Sequence, residues 1–277
     1  MAYAHKVEPG ARVRLADYRP DQDGGLDKER GRARFAELNS ELDALQEELY
    51  AAGQHSILVV LQGMDTSGKD GAIRKVFQNV DPQGCRVESF KVPTEEELAH
   101  DFLWRVHRVA PRRGMLAIFN RSHYEDVLVV RVHGLVPEQT WRARYEQINH
   151  FEQLLAANDT IIFKFFLHIS KDEQEQRLVA REQDPTKAWK LAAGDWRERR
   201  RWDDYTAAYE DALSHCSTAE APWYIVPANR KWYRDLAIAE ALVERLKPYR
   251  RRWAEHLAQM SAARRQELEE FRKTNSQ

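Results

Sequence analysis

The sequence predicts an α/β fold: a three-layer sandwich in which a five-stranded parallel sheet carries helices on both faces. Three observations lead there. Apolar or β-rich runs recur at 57–61, 87–90, 115–119, 161–167 and 223–226. Stretches with readable helix-start signals lie between them, and strands alternating with helices close into a parallel sheet covered on both sides. The first run leads directly into Gly63-Met64-Asp65-Thr66-Ser67-Gly68-Lys69-Asp70, a Gly-x-x-x-x-Gly-Lys loop in strand–loop–helix context.

Taken in order, residues 1–25 contain Gly, Asp and Pro and read as a loop or as an arm ordered by docking. A helix is expected over 26–50, where Phe35, Leu38, Leu42, Leu45 and Leu49 fall at helical spacing. Thr94 with Glu97, Ser170 with Glu173 and Asp195 with Glu198 have capping-box spacing, and Pro137 suits a first helical turn. The segment 249–277 is charged, with Trp253, Leu257, Met260 and Leu268 as sparse apolar residues; surface helix, oligomer contact and frayed tail all fit it. No internal repeat or low-complexity linker interrupts the chain, so 1–277 reads as one domain, with 1–52 as an N-terminal arm and helix and about 170–215 as a lid.

Composition excludes several classes. A chain of 277 residues with 43% hydrophobic content can bury one sizeable core, and 43 Lys+Arg against 44 Asp+Glu give no global pull toward nucleic acid or membrane. Two cysteines, Cys85 and Cys216, suit a reducing compartment and form no metal-ligand spacing. The start lacks an apolar signal core and no stretch approaches 18 uninterrupted apolar residues, so a soluble, cytoplasmic protein is expected.

The chemistry is expected where the strands end. Ligands of an open parallel sheet bind outside the carboxyl ends of its strands, so the loops after Leu61, Phe119 and Leu167 should converge. In the first, Gly63, Ser67 and Gly68 let backbone N–H groups approach phosphate oxygens, while Lys69 supplies a mobile positive charge. Asp70 departs from the Ser or Thr that ATP-binding loops use for magnesium; it either faces away or the metal is held differently. Asp65, an acid among phosphates, needs a compensating cation and is assigned a metal-linked or nucleophile-orienting role. The second loop, Asn120-Arg121-Ser122-His123-Tyr124-Glu125-Asp126, begins with a neutral residue; Arg121 can reach a phosphate bidentately, and Asn120, Arg121, Glu125 and Asp126 are candidates for the nucleotide.

Charge is concentrated even though the total is neutral. Residues 105–131 and 177–201 each carry a local cationic excess of four, and such patches focus polyanions. The second patch, which includes Lys187 and Lys190, reads as the arginine-bearing lid of a phosphoryl-transfer enzyme, with Arg177 and Arg181 on one helix face. Arg74, Lys75, Lys91, Arg112 and Arg113 are further candidates for phosphate binding. His123 has a structural or positioning role, His168 a packing or hydrogen-bonding one. Trp104, Trp189, Trp196, Trp202, Trp223 and Trp232 serve core or lid packing, with one of them a candidate to stack on a base.

These residues together carry a resemblance. GMDTSGKDG, FKVPTEEELAHDFLWRVH, FNRSHYEDVLVVRV, KFFLHISKDEQEQRL, GDWRERRRWDDY and APWYIVPANRKWYRDL resemble the polyphosphate kinase 2 family from about residue 6 to residue 246. FNRSHYEDVL, with Asn after the strand, is similar to the subgroup acting on both nucleoside mono- and diphosphates. The resemblance implies a P-loop kinase fold, Mg²⁺ dependence, inorganic polyphosphate as phosphoryl donor, AMP and ADP as acceptors, and a homo-oligomer (dimer or tetramer). It also accounts for Asp70, since that family's loop does not require Ser or Thr. In the expected site Asp65, Lys69, Arg121, Arg177 and Arg181 act on the transferring group. The alternatives are an ATP-dependent nucleoside monophosphate kinase and a non-enzymatic module that binds polyphosphate or nucleic acid.

Overall fold

A computed structural model describes residues 2–184, 186 and 193–274. Among the described residues six strands are present: β1 (His5–Lys6), β2 (Ser56–Gln62), β3 (Cys85–Ser89), β4 (Leu116–Asn120), β5 (Thr160–His168) and β6 (Trp223–Pro227). Their spatial order is β1-β6-β5-β2-β4-β3. The five expected strands are there and run parallel. The expected count of five is corrected to six, because β1 adds to β6 antiparallel, His5 opposite Ile225. Two residues of a polar segment carry no strand pattern of their own. The N-terminal arm is held instead by partners far along the chain: Tyr3 N–H donates to Glu240 at 2.7 Å and Val13 N–H to Ser214 at 2.9 Å.

The helices are α1 (Lys28–Ala52), α2 (Lys69–Val76), α3 (Glu95–Leu98), α4 (Trp104–His107), α5 (Val129–Val132), α6 (Glu138–Ala157), α7 (Lys171–Glu182), α8 (Ala193–Arg199), α9 (Trp202–His215) and α10 (Lys231–Thr274). Side chains alternate along a strand, so neighbours on β5 report the two faces of the sheet. Phe163 lies under Arg245 of α10, while Lys164 meets Glu152 of α6. The helix α1 packs along α10 on the first side, and α6 meets α9 and α5 on the second. All seven residues of β2 are buried, the pattern of a central parallel strand.

Cap signals translate unevenly. Thr94 forms the full reciprocal box with Glu97. Ser170 accepts from Glu173 N–H, but the Glu173 carboxylate turns to Arg177 instead. The expected start at Asp195 is corrected: α8 begins earlier, and the Asp195 carboxylate is taken by Arg181. Pro137 sits at the N-cap of α6 rather than inside its first turn. At the other end, α10 runs 44 residues through Pro248. Trp253, wholly buried, donates to His55 at 3.0 Å, and beyond it the helix is largely exposed.

Candidate active site

Parallel register sets Leu61 opposite Asn120 and Gln62 opposite Phe166, so the carboxyl ends of β2, β4 and β5 meet at one edge. The turn from β2 to α2 uses backbone that only glycine adopts readily. Gly63 has φ 152° and Gly68 φ 100°. A Cβ on Gly63 would come within 2.8 Å of both Leu167 O and Ser67 Oγ, and one on Gly68 would overlap Arg234. The buried Lys69 ammonium donates to the carbonyls of Gly63 at 2.7 Å and Met64 at 3.3 Å. Burial pushes its pKa down to about 8, and nearby Arg121 adds to the effect against the pull of Asp65. The hydroxyls of Thr66 and Ser67 are buried and lack a hydrogen-bond partner among the described residues.

Arg121 follows β4 in the left-handed region, φ 62°. Its guanidinium spans two acids, donating to Asp65 Oδ1 at 2.7 Å and Glu125 Oε2 at 3.1 Å. Burial opposes the charge, but Glu125 and Asp65 outweigh it and raise its pKa. Asn120 donates to Asp70 Oδ1 at 2.8 Å, so Asp70 faces the neighbouring strand end across the loop. Behind Arg121 the turn is anchored in the core. The buried Glu152 carboxylate pairs with His123 Nε2 at 3.1 Å, accepts from Tyr124 OH at 2.8 Å and receives Lys164 Nζ at 2.5 Å. Burial alone would raise the Glu152 pKa; Lys164 and His123 reverse this and hold it low.

Above lies the lid. Ser170 starts α7, and Arg177 and Arg181 share a face there with different partners. Arg177 donates to four carbonyls: Thr66 and Ser67 at 3.0 Å, Ala228 at 2.6 Å and Asn229 at 2.9 Å. Arg181 meets Asp195 of α8 at 2.7 Å. Burial, then the Asp65 charge, raise the Asp195 pKa against the pull of Arg181. Two further arginines are held by other partners: Arg199 bonds the Lys171 carbonyl, Gln174 and Glu175, and Arg201 the Val132 carbonyl. Lys187, Trp189 and Lys190 lie outside the described residues.

These elements enclose a cleft of about 920 Å³. Of the expected residues, Asp65, Gly68, Lys69, Asp70, Lys91, Asn120, Arg121, Arg177 and Arg181 line it. Gly63 and Glu125 line a smaller cavity of about 30 Å³ on the other side of Arg121, beside Trp202 and Tyr205. Four expected cations are not at the cleft. Arg112 and Arg113 precede β4, at the amino end of the sheet, where Arg113 pairs with Asp159. Arg74 and Lys75 are exposed in the last turn of α2, Lys75 over the Phe35 ring. Asp126 is also turned away: Arg144 holds it at 3.2 Å and Arg105 lies 3.8 Å from it. It ends the short 3-10 turn over His123–Asp126 and is buried there. Sequence reasoning missed Lys231, Arg234, Asp195, Gln62, Glu152 and Lys164. Lys164 gave the one clear signal, a charge inside the apolar run IIFKFFLH.

The oxygen donors suit a hard cation. Asp65, Asp70 and Asp195 face the cleft, yet among the described residues no three His, Cys, Asp or Glu stand close enough to cage a metal alone. Mg²⁺ binds in this manner, through one or two carboxylates, with substrate phosphates and water completing its shell. No helix among the described residues is long and apolar enough to cross a membrane.

The family described as Polyphosphate kinase 2 matches residues 25–253. The chain is 55% identical over 244 residues to the AMP/ADP-polyphosphate phosphotransferase of Meiothermus ruber, covering 87% of this chain and 91% of that one. It is 46% identical over 243 residues to the ADP-polyphosphate phosphotransferase of Rhodopseudomonas palustris, covering 83% of each. The crystal structure of polyphosphate kinase 2 from Arthrobacter aurescens superposes with a TM-score of 0.84 at 44% identity, over 87% of this chain and 88% of that one. The chain belongs to the polyphosphate kinase 2 family, and its fold is the family's helix-flanked α/β fold.

Proposed function

We propose that this polyphosphate kinase transfers the terminal phosphoryl group of inorganic polyphosphate to AMP and to ADP, giving ADP and ATP. The observation that carries the reading is the cleft that Lys69, Arg121, Arg181 and Asp65 line together at the carboxyl ends of the strands. Phosphoryl transfer asks little covalent chemistry of the protein and much alignment and charge neutralisation. Lys69 is assigned to the transferring group, within reach of the loop carbonyls it now holds. Arg121 grips the same group bidentately, and Arg181 meets it from the lid. Asp65 and the neighbouring phosphates would hold Mg²⁺, whose contribution when bound is to neutralise phosphate oxygens. Arg177 braces the phosphate loop through its carbonyls. Gly63, Ser67 and Gly68 supply the cradle, with Lys91, Lys231 and Arg234 extending the cationic wall for a long donor. Asn120 sets how the acceptor's phosphates are received.

The whole chain acts as one domain in this reading. A cytoplasmic homo-oligomer is the accompanying assignment, supported by two free cysteines and by the family to which the chain belongs. The test supplies AMP, long-chain polyphosphate and Mg²⁺ without ATP. Formation of ADP and then ATP is expected. Absence of both, with activity restored only by ATP, would identify an ATP-dependent nucleoside monophosphate kinase instead.

A further inference from the structure

We infer that Gln62 is a positioning residue: its buried carboxamide sets the Glu125 carboxylate and, through it, the Arg121 guanidinium at the phosphate site. Gln62 is wholly buried at the end of β2, the one amide of the strand, directly after the apolar run 57–61 and before the phosphate loop. Both ends of its carboxamide reach the Arg121 turn. Nε2 donates to Glu125 Oε1 at 2.9 Å, and Oε1 accepts from Ser122 Oγ at 3.3 Å. The other Glu125 oxygen receives Arg121 Nη1 at 3.1 Å, and Ser122 Oγ also accepts from Tyr124 N–H at 3.1 Å. A third, longer contact of 3.5 Å reaches Tyr209 OH on α9. One neutral side chain thereby ties the phosphate-loop strand, the Arg121 turn and α9.

The chemistry explains the residue type. The site needs a donor toward a carboxylate and an acceptor from a hydroxyl in one planar, uncharged group. A carboxylate would repel Glu125, and an ammonium would compete with Arg121 for it. Arg121 itself sits at φ 62°, a conformation arginine holds only when its surroundings over-determine it. Its backbone N–H is fixed by Leu61 O at 3.1 Å; the Glu125 contact fixes its head. Losing the Gln62 donor frees Glu125 to rotate, and the guanidinium then follows either acid alone.

The inference rests on the proposed contact of Arg121 with the transferring phosphate, and the experiment separates the two. Arg121→Ala is assayed first: kcat within threefold of the parent would refute that contact, and the positioning role with it. With Arg121→Ala inactive, Gln62→Met should lower kcat roughly 10- to 100-fold, the scale of a hydrogen bond to a charged group, and leave KM for polyphosphate within threefold. Gln62→Glu provides the pH readout. Around Glu125 stand Arg121 and Asp126 on its own turn, Asp65 and Lys69 from the loop and α2, and Tyr205 and Tyr209 on α9. A protonated carboxyl at position 62 can donate as the amide does, so kcat of Gln62→Glu should be low at pH 8.5 and recover toward pH 6 relative to the parent. Circular dichroism and Tm are recorded at both values. Either Gln62 variant with kcat within threefold of the parent at pH 8.5 would overturn the inference. A loss in Gln62→Glu that tracks Tm, without recovery at low pH, would overturn it equally. If Gln62→Met does not fold, the pH response of Gln62→Glu decides alone.

Discussion

Replacing Asn120 by aspartate should change which acceptor the enzyme favours. In the parent, Asn120 Nδ2 donates to Asp70 Oδ1 at 2.8 Å. Asn120→Asp removes that donor, worth about 1.5 kcal/mol toward a carboxylate, and sets two anions about 3 Å apart. Their repulsion is about 3 kcal/mol at an effective dielectric of about 40, and twice that at about 20. The pair must separate, take up a proton or recruit a cation, so Mg²⁺ should raise Tm more in the variant than in the parent. In the proposed site the added charge also faces the acceptor. ADP carries about one more negative charge than AMP, and one extra charge at about 5 Å in the same dielectric amounts to roughly 1.5 kcal/mol. That is a shift of about tenfold in the kcat/KM ratio toward AMP, to be measured with both acceptors at limiting Mg²⁺ and a fixed polyphosphate donor. A ratio that stays within twofold, whether both rates fall together or neither changes, would refute the argument that Asn120 governs acceptor choice.

The buried Lys69 titrates in the working range, so kcat/KM for polyphosphate should fall as pH rises through about 8. Its pKa is depressed on folding, so stability of the free protein should move oppositely, rising from about pH 8 toward the ordinary lysine value; a kcat/KM profile flat from pH 7 to 9 would contradict this. Arg177→Ala and Arg181→Ala should separate two roles. Loss of Arg177 strands four loop carbonyls and should lower Tm by roughly 5–10 °C, whereas loss of Arg181 should lower kcat a few-hundred-fold with Tm nearly unchanged. Equal Tm values for the two variants would remove the distinction.

The parallel strands and the phosphate loop were legible because their signals are local. An apolar run followed by glycines and a lysine needs no tertiary information. The first strand was not legible, since two polar residues become a strand only by meeting β6, more than two hundred positions away. Among cleft residues, those on the loops after β2 and β4 followed from topology. Arg112 and Arg113 misled because a count of positive charge does not say at which end of the sheet a loop lies; they precede their strand and so fall at its amino end. Lys231 and Arg234 were overlooked for the converse reason. Nothing near them in sequence marks a phosphate site, and the first turn of α10 brings them to the cleft. Asp126 shows a finer limit: spacing put it near Arg121, but it ends a 3-10 turn and is held by two other arginines, away from the cleft lining.

Near-neutral net charge and polyanionic substrates are reconciled inside the cleft. Arg121 stands between Asp65 and Glu125, Arg181 against Asp195, and Arg177 against Glu173. Partly desolvated guanidiniums without counter-ions would repel one another and destabilise the free protein; the four acids paired with them remove that penalty. The arrangement also sets a threshold for ligands. A phosphate must offer Arg121 more than Asp65 and Glu125 already give, and a single exposed charge competes weakly against two fixed carboxylates. A chain of phosphates that can at the same time bring a cation to Asp65 exchanges the arginine's partner without leaving the acid unpaired. In the proposed function the acids between the arginines therefore serve the recognition of a metal-bearing polyanion as much as the arginines do.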